Sequence, residues 1–154
     1  MIESILGSKT VKFLKCHALA QIPKPKSNWA AGADLHSVEH ATIAPNELAV
    51  IHTGLKVEPP SNYLSIHITP RSGLAAKNHV TVMNSPGLID PDYRGELMVL
   101  LKNFHPTETF YVNIGDRIAQ MQIMPNFIQM VTFAEVLELS DTERGEDGLG
   151  STGV

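Results

Sequence analysis

The sequence is poor in cysteine, in aromatic residues and in positive charge. Cys16 is its single cysteine among 154 residues, so no disulfide can form within one chain. It lies in an alternating apolar stretch, which predicts a buried packing residue rather than a nucleophile. With 12 Lys and Arg against 16 Asp and Glu, the net charge is −4. This balance excludes the broad basic surface of a duplex-binding protein, and we expect no nucleic-acid partner.

Long apolar runs are also lacking. No stretch approaches the roughly 18 apolar residues of a membrane-spanning helix, and residues 1–10 have no basic-then-apolar signal pattern. We therefore expect a cytoplasmic protein with no membrane partner, with the nucleus as a second compartment if the source is eukaryotic or viral. No His or Cys cluster has metal-ligand spacing. His36 and His40 are four residues apart, but the extended pattern around them favours solvent-facing side chains.

The dominant local pattern is β. Short alternating or apolar runs are separated by Gly, Pro and Asn. They predict strands within residues 11–20, 41–57 (two strands), 63–69, 79–83, 96–102, 109–112, 117–124 and 131–137. One short helix is predicted at residues 72–77, where Ser72 could serve as the cap. Many short strands at near-regular spacing indicate an all-β sandwich or barrel, and we assign residues 1–139 to this one domain.

The last segment, residues 140–154, has a different composition. Its sequence, SDTERGEDGLGSTGV, is rich in Gly and charge and has few large apolar side chains, which predicts a flexible C-terminal arm. Glycine leaves backbone N–H groups accessible, Ser and Thr add hydroxyl donors, and Arg144 adds a positive charge. This composition is typical of a phosphate-binding segment.

Two further segments combine small residues with a charged side chain. AGADL (residues 31–35) places Asp34 among small residues, a pattern that is usually just a turn. In PRSGLA (residues 70–75), proline ends a strand, and Arg71 and Ser72 open a helical turn. Free N–H groups at a helix start and a guanidinium group together favour a phosphate.

Two more segments place polar residues inside the β pattern. Residues 84–96, NSPGLIDPDYRGE, predict either an ordinary turn-rich hairpin or a bend whose backbone groups read the edge of a nucleobase. GDRIAQM (residues 115–121) places Arg117 and Gln120 within a strand. A buried polar side chain needs a partner, and Asp34 is a candidate partner for Arg117.

Taken in order, the motifs AGADL, PRSGLA, GLIDPDYRGE, GDRIAQM and RGEDGLGSTG resemble those of the homotrimeric dUTPase family, over residues 31–154. The resemblance implies a jelly-roll-like β barrel and a homotrimer with three shared active sites. It also implies a dUTP diphosphatase, which hydrolyses dUTP to dUMP and pyrophosphate. That reaction keeps uracil out of DNA and supplies dUMP for thymidylate synthesis.

The resemblance also implies residue roles. Asp90 resembles the carboxylate that activates water for attack on the α-phosphorus. Tyr93 resembles the residue that packs under the deoxyribose and excludes a 2′-hydroxyl. Asp34 and Arg117 resemble a pair that organises the site without contacting substrate. The substrate-binding set implied in this way is Arg71, Ser72, Gly73, Asn84, Gly87, Leu88, Ile89, Tyr93, Met98, Gln120, Arg144, Leu149, Gly150, Ser151 and Thr152.

The arm and the metal complete these expectations. The arm is expected to close over the γ-phosphate in the active site of a neighbouring subunit. Leu149 stands where the family usually has an aromatic ring that stacks on uracil, so the π face is lost here. Mg²⁺ is the expected cofactor, held mainly by the substrate phosphates and water rather than by direct protein ligands.

Two alternatives belong to other classes. A dCTP deaminase, or a bifunctional deaminase–dUTPase, is similar in fold, but it needs a proton-shuttling group near C4 of the base, and Asp90 is expected to face phosphorus instead. A catalytically silent β-barrel binding module needs a broken motif, whereas Arg71, Asp90, Tyr93, Gln120 and Arg144 are all present.

Overall fold

The computed structural model describes residues 10–146 and 148. Within them, the fold has ten β-strands, one α-helix and one 3₁₀ turn. The strands are β1 (Lys12–Lys15), β2 (Ala33–His36), β3 (Ala41–Ile43), β4 (Leu48–Glu58), β5 (Leu64–Thr69), β6 (Val80–Val82), β7 (Gly87–Ile89), β8 (Glu96–Asn103), β9 (Phe110–Val112) and β10 (Arg117–Pro125). Helix α1 (Ser72–Asn78) joins β5 to β6, and the 3₁₀ turn (Ile128–Met130) follows β10.

The strands form three antiparallel sheets. One sheet has the order β1-β4-β8-β6, a second has the order β2-β10-β5-β7, and the third is the pair β3-β9. Each four-stranded sheet therefore joins strands that are distant in sequence. The two sheets also separate the candidate site residues, since β8 belongs to the first sheet and β2, β5, β7 and β10 belong to the second.

Alternating side chains create the core. In β5, Leu64, Ile66 and Ile68 are buried while the residues between them are half-buried, as the alternation of the sequence predicts. In β8, Leu97 and Val99 turn inward in the same way. Each such side chain contributes roughly 1.5–3 kcal/mol when fully buried. The prediction of a mostly β fold with one short helix is confirmed.

A buried asparagine links the first sheet to the β3-β9 pair. Asn103 ends β8, and its Nδ2 donates to the carbonyl oxygens of Ile43 at 3.0 Å and Glu108 at 2.8 Å. Its Oδ1 accepts from the His105 backbone N–H at 2.9 Å. Because both ends of the amide are bonded, the polar group is buried without the cost of an unmet hydrogen bond.

The expected closed barrel is not what the structure shows. Among the described residues, the three sheets do not close on one another. Alternation in the sequence reports only that each strand buries one face, and this property is shared by packed sheets and closed barrels. The strand pattern therefore predicted the all-β class correctly but could not predict closure.

Three local predictions were wrong. Residues 131–137 form no strand and pair with none of the described strands, and Val131, Phe133 and Val136 are exposed there. Cys16 is exposed, since by the alternation of β1 it shares the face of Leu14, which is exposed as well. Ser72 is not the cap of α1; Arg71 occupies that position with extended backbone and makes no capping side-chain bond.

None of the helices in the described residues has the length and apolar character that a membrane crossing requires.

Candidate active site

The segment with the most predicted site residues forms a turn between strands of two different sheets. Strands β7 and β8 flank residues 90–95 but do not pair with each other in the described chain, so the predicted bend between strands is formed and the alternative, a hairpin, is not. The Tyr93 backbone N–H donates to the Asp90 carbonyl at 3.1 Å. The Arg94 guanidinium donates to the carbonyls of Pro91 at 2.8 Å and Tyr93 at 2.9 Å. The turn is thus held in shape by its own groups.

The ring of Tyr93 lies across the backbone of this turn. Its hydroxyl donates to the Glu96 carbonyl at 3.1 Å. A Cβ atom at Gly95 would overlap the Tyr93 ring, so only glycine leaves room for the ring in this position. The ring is 38% exposed, and its free face is available to a ligand.

A pocket of about 390 Å³, which we call the hairpin pocket, opens beside this turn. This volume lies within the usual range of small-molecule sites. The pocket is lined by Val50, Asn84, Leu88, Ile89, Asp90, Tyr93, Glu96, Met98 and Leu100. Six of these were predicted from the sequence: Asn84, Leu88, Ile89, Asp90, Tyr93 and Met98. Gly87 lies behind Asn84, where an added Cβ would meet the Asn84 amide nitrogen at 3.2 Å.

Asp90 begins the turn and is exposed. It lines the hairpin pocket, and it also lines a second, more polar pocket of about 410 Å³ with Asp92, Asn62 and Asn126. Among the described residues, no hydrogen bond or ion pair to the Asp90 carboxylate is formed. Its oxygens are therefore free to accept a hydrogen bond from water.

Asp34 has the opposite environment. Its carboxylate is 14% exposed and accepts from Arg71 Nε at 2.9 Å and Arg117 Nη1 at 3.3 Å. Arg71 Nη1 also donates to the Arg117 carbonyl at 3.2 Å. The predicted pairing of Arg117 with Asp34 is confirmed, but Arg117 is exposed rather than buried. The structure adds Arg71 as a second partner.

The other predicted phosphate-site residues surround this ion-paired cluster. Gln120 lies on β10, opposite Asp34 of β2 and Thr69 of β5. Ser72 and Gly73 open α1 directly after Arg71. A Cβ added at Gly73 would meet no atom within 4 Å, so the space over the helix start is open. The residues of three motifs are thus brought together, although they are up to 86 positions apart in sequence.

His36 lies two residues beyond Asp34 on the same strand. Its Nδ1 is buried and has no hydrogen-bond partner among the residues that the structure describes. Burial lowers the pKa of His36, and the charges of Arg117 and Arg71 lower it further, against the opposing effect of Asp34. The ring is therefore held neutral beside the two arginines.

Three residues of the hairpin pocket were not predicted from the sequence: Val50, Glu96 and Leu100. Glu96 lines the pocket, yet it had no assigned role, and its side-chain partner His52 lies 44 positions away on β4. The hydrogen bond with Glu96 raises the pKa of His52. Burial acts to raise the pKa of Glu96, but the bonds from His52 and the Gly54 N–H outweigh it and lower that pKa. No local sequence signal marks this pair.

The residues predicted to face the base and those predicted to face the phosphates line different surfaces. The hairpin pocket is lined by none of Arg71, Ser72 or Gln120. Arg144 is exposed and lies in the tail of the described chain. Leu149, Gly150, Ser151 and Thr152 lie outside the described residues, so their predicted roles stay predictions.

The described residues include no group of three or more His, Cys, Asp or Glu side chains arranged to hold a metal ion. Both oxygens of Asp34 are engaged by guanidinium groups, so this carboxylate fits a role in ordering Arg71 and Arg117 rather than direct ligation. The Asp90 carboxylate is free, as described above. The donor set therefore fits a Mg²⁺ ion that is coordinated chiefly by a triphosphate and water.

Comparison with known proteins identifies the family. The family model described as dUTPase matches residues 18–153, a range that contains all five motifs. The chain belongs to the dUTPase family. The deoxyuridine 5'-triphosphate nucleotidohydrolase of Alkaliphilus metalliredigens is 47% identical over 144 residues, which cover 94% of this chain and 97% of that protein. The enzyme of the same name from Nautilia profundicola is 49% identical over 143 residues, 93% of this chain and 98% of its own.

Solved dUTPase structures share the fold. A variant of the Staphylococcus bacteriophage 80alpha dUTPase, bound to dUpNHpp, superimposes with a TM-score of 0.86 at 29% identity and covers 96% of this chain and 100% of its own. A variant of the dUTPase of S. aureus phage phi11 superimposes with a TM-score of 0.71 at 25% identity, over 87% of this chain and 99% of its own. That structure describes the coordination of a structural Mg(II) ion.

Proposed function

We propose that this protein hydrolyses dUTP to dUMP and pyrophosphate. The observation that carries the proposal is the hairpin pocket of this dUTPase-family chain. Asn84, the Asp90 carboxylate and the Tyr93 ring line this one cavity, which has the size of a nucleoside. The names of the two relatives support the same substrate.

In this proposal the hairpin pocket binds the deoxyuridine. Asn84 and the backbone of β7 and β8 read the uracil edge, with Leu88, Ile89 and Met98 as apolar walls. The Tyr93 ring packs beneath the deoxyribose and fills the space that a 2′-hydroxyl would need. Excluding a hydroxyl by polarity alone gives only about 10²-fold selectivity, so a rigid ring is the more effective device.

Asp90 is the proposed general base. It accepts a proton from a water molecule, the water oxygen attacks the α-phosphorus, and the bond to the β-phosphate oxygen breaks to release pyrophosphate. Reactions of this class depend mostly on positioning and on stabilisation of charge. An exposed carboxylate with no partner among the residues that the structure describes supports this role.

The ion-paired cluster is the proposed phosphate site. Arg71, Gln120 and the opening residues of α1, Ser72 and Gly73, contact the phosphates, and Asp34 orders the guanidinium groups of Arg71 and Arg117. The Arg71 fork suits phosphate oxygens because it offers several donors in one plane. The open space over Gly73 supports the approach of a phosphate to the backbone.

The protein is proposed to act as a homotrimer with shared sites. The body comprises residues 1–139, and residues 140–154 form an arm that brings Arg144, Leu149, Gly150, Ser151 and Thr152 to the site of a neighbouring subunit. Two observations support this assembly. The phosphate-facing residues do not line the hairpin pocket of their own chain, and residues 127–146 are exposed along their whole length.

Mg²⁺ is the proposed cofactor. When bound, it would neutralise charge on the triphosphate and so reduce its repulsion from a protein of net charge −4. The Mg(II) ion in the phage phi11 relative supports a role for this metal in the family. Arg71 and Gln120 would hold the phosphates in place around it.

One assay tests the proposed activity. Pyrophosphate release is measured from dUTP, dCTP and UTP with Mg²⁺, alongside ammonia release from dCTP. We expect pyrophosphate from dUTP, with dCTP and UTP poor substrates. Ammonia from dCTP would indicate a deaminase instead, and the absence of either product would indicate a binding module.

A further inference from the structure

Glu96 is bonded at both ends. Its Oε1 accepts from the Gly54 backbone N–H at 2.8 Å, and its Oε2 lies 3.0 Å from His52 Nδ1. Its main-chain carbonyl accepts from the Tyr93 hydroxyl at 3.1 Å. The side chain is 24% exposed and lines the hairpin pocket. One residue thus joins strand β4 to the ring that faces the pocket.

The β4 end of this link is fixed by the backbone. The pairing of β4 with β8 shifts register between His52 and Lys56, so the regular ladder is interrupted where the carboxylate binds. Gly54 lies in this irregularity with φ +66°, and an added Cβ would meet His17 Cβ at 2.6 Å. The His52 backbone N–H donates to Glu39 Oε1 at 2.8 Å. The anchor therefore has little freedom to move.

The carboxylate of Glu96 differs from that of Asp90, although both line the same pocket. Glu96 already accepts two hydrogen bonds, whereas Asp90 has no side-chain partner among the described residues. A carboxylate with both oxygens occupied is poorly suited to take a proton from water. It is well suited to hold a neighbouring group in place.

We propose that Glu96, anchored by His52 and the Gly54 N–H, is a positioning residue that sets the Tyr93 ring and thereby the preference for a deoxyribose. This inference rests on the proposed function. Loss of the anchor frees the start of β8, and the ring then no longer fills the 2′ space rigidly. Ground-state binding and sugar discrimination suffer, while the chemistry at phosphorus does not.

Four variants test the proposal: Glu96→Ala, Glu96→Gln, His52→Gln and a matched control, Glu58→Gln. Glu58 also forms an ion pair, with Lys12 at 2.7 Å, but it does not line the hairpin pocket. Steady-state kcat and KM are measured for dUTP and UTP by pyrophosphate release. Thermal melts establish that each variant is folded.

For Glu96→Ala we expect KM for dUTP to rise about tenfold, because the released Tyr93 ring must then be ordered when substrate binds. The kcat should stay within about threefold, because the proposed contact of the ring with the sugar is made equally in ground and transition states. The preference for dUTP over UTP should fall. Glu96→Gln keeps an oxygen for the Gly54 N–H and should recover part of both losses, and Glu58→Gln should match wild type.

The pH profile separates positioning from a general structural effect. Because the pKa of His52 is raised by its bond to Glu96, the charged form persists to higher pH and is lost as pH rises through that pKa. KM for dUTP should therefore rise in wild type as the pH increases through the pKa of His52. The His52→Gln variant should lack this rise of KM at alkaline pH. The charge of Glu39 also raises the pKa of His52, and the charge of His17 lowers the pKa of Glu96. The His17→Gln variant is therefore included, and it should retain the rise of KM at alkaline pH.

The outcomes are distinct. A wild-type protein that releases no pyrophosphate from dUTP overturns the proposed function. An active wild type whose Glu96→Ala and His52→Gln variants keep wild-type KM and sugar preference overturns the positioning role, as does a variant that loses kcat alone. If Glu96→Ala does not fold, the positioning role is tested by His52→Gln, which leaves the bond between Glu96 and the Gly54 N–H intact.

Discussion

At the scale of single residues, the acids of the site differ in the hydrogen bonds that their carboxylates accept. Asp34 accepts from two guanidinium groups, and Glu96 is bonded to a histidine ring and a backbone N–H. Asp90 is exposed and has no side-chain partner in the described chain. A base needs an accessible lone pair for the proton it accepts, and the exposed Asp90 carboxylate meets this need better than the two bonded acids.

Asp90→Asn should therefore keep the fold and substrate binding but lose turnover. The amide has nearly the same shape but cannot take a proton, and loss of a general base costs about 10²–10⁴-fold in rate. The kcat is measured by pyrophosphate release, and binding is measured calorimetrically with dUpNHpp. Asp92→Asn changes a neighbouring exposed acid and is the control. A kcat within a few-fold of wild type would remove Asp90 from the role of base.

His36, beside the ion-paired cluster of Asp34, Arg71 and Arg117, makes the stability of the fold depend on pH. Its pKa is lowered in the folded protein, first by burial, from an ordinary value of 6.5. Between 6.5 and that lowered pKa the unfolded chain binds more protons than the folded chain, so stability falls as pH decreases through this window. The contribution is fully present above 6.5.

His36→Gln should consequently flatten the acid side of the stability profile. The free energy of unfolding is measured by urea titration between about pH 5 and pH 8, a range that spans the titration of histidine. The wild type should lose stability more steeply than the variant below the ordinary histidine pKa. His40→Gln alters an exposed histidine and should keep the wild-type slope. Parallel profiles for wild type and His36→Gln would contradict the argument.

At the scale of elements, the sequence predicted best where one strand carries its own alternation. Strands β5 and β10 and helix α1 lie close to their predicted positions. Strand β2 was interpreted as a turn, because four residues next to a stretch of small residues carry little periodicity, and its hydrogen-bond partners lie on β10, some 80 residues away. Residues 131–137 have the alternation of a strand but no partner in the described chain.

The same limit applies to the site. Motif order predicted six of the nine residues that line the hairpin pocket, and the need of a polar strand residue for a partner predicted the pairing of Asp34 with Arg117. It did not predict that Arg71 shares the Asp34 carboxylate or that Glu96 bonds to His52. Both contacts depend on which strands become neighbours and on the register shift in β4, and neither is visible in a local pattern.

The turn between β7 and β8 offers a steric test of the proposed contact between Tyr93 and the deoxyribose. A methyl group at Gly95 would overlap the Tyr93 ring, so Gly95→Ala should displace the ring without removing it. We expect the ratio of kcat/KM for dUTP over UTP to fall in Gly95→Ala, in the same direction as in Tyr93→Ala. The 2′-hydroxyl of UTP is then excluded only by the polarity of the pocket, which gives a selectivity of about 10²-fold. An unchanged ratio in both variants would place Tyr93 outside the sugar pocket.

At the scale of the whole molecule, residues 127–146 are exposed and include several large apolar side chains. Phe133 is 83% exposed and Leu139 is 86% exposed. Single exposed apolar residues are ordinary, but a continuous exposed segment with this many of them is typical of an interface. Together with the separation of the hairpin pocket from Arg71 and Gln120, it supports the proposed homotrimer.

Mixed trimers test whether sites are shared. Two variants are prepared, each inactive by itself: Asp90→Asn with an intact arm, and a truncation after Leu139 with Asp90 intact. They are unfolded and refolded together, and mixed trimers are identified by native mass spectrometry. Each variant refolded alone is the control, since it contains one kind of chain and can form only defective sites.

In a mixed ring of three, a working site needs a truncated chain that supplies Asp90 next to an Asp90→Asn chain that supplies the arm. Cyclic order provides this junction once in every ring with both kinds of chain, whether the ratio is two to one or one to two. Pyrophosphate release should therefore recover to about one working site in three for mixed trimers. If Asp90 and the arm of one site came from the same chain, no mixture could restore activity. Release that stays at the level of the separate variants, with mixed trimers present, would rule out the shared site.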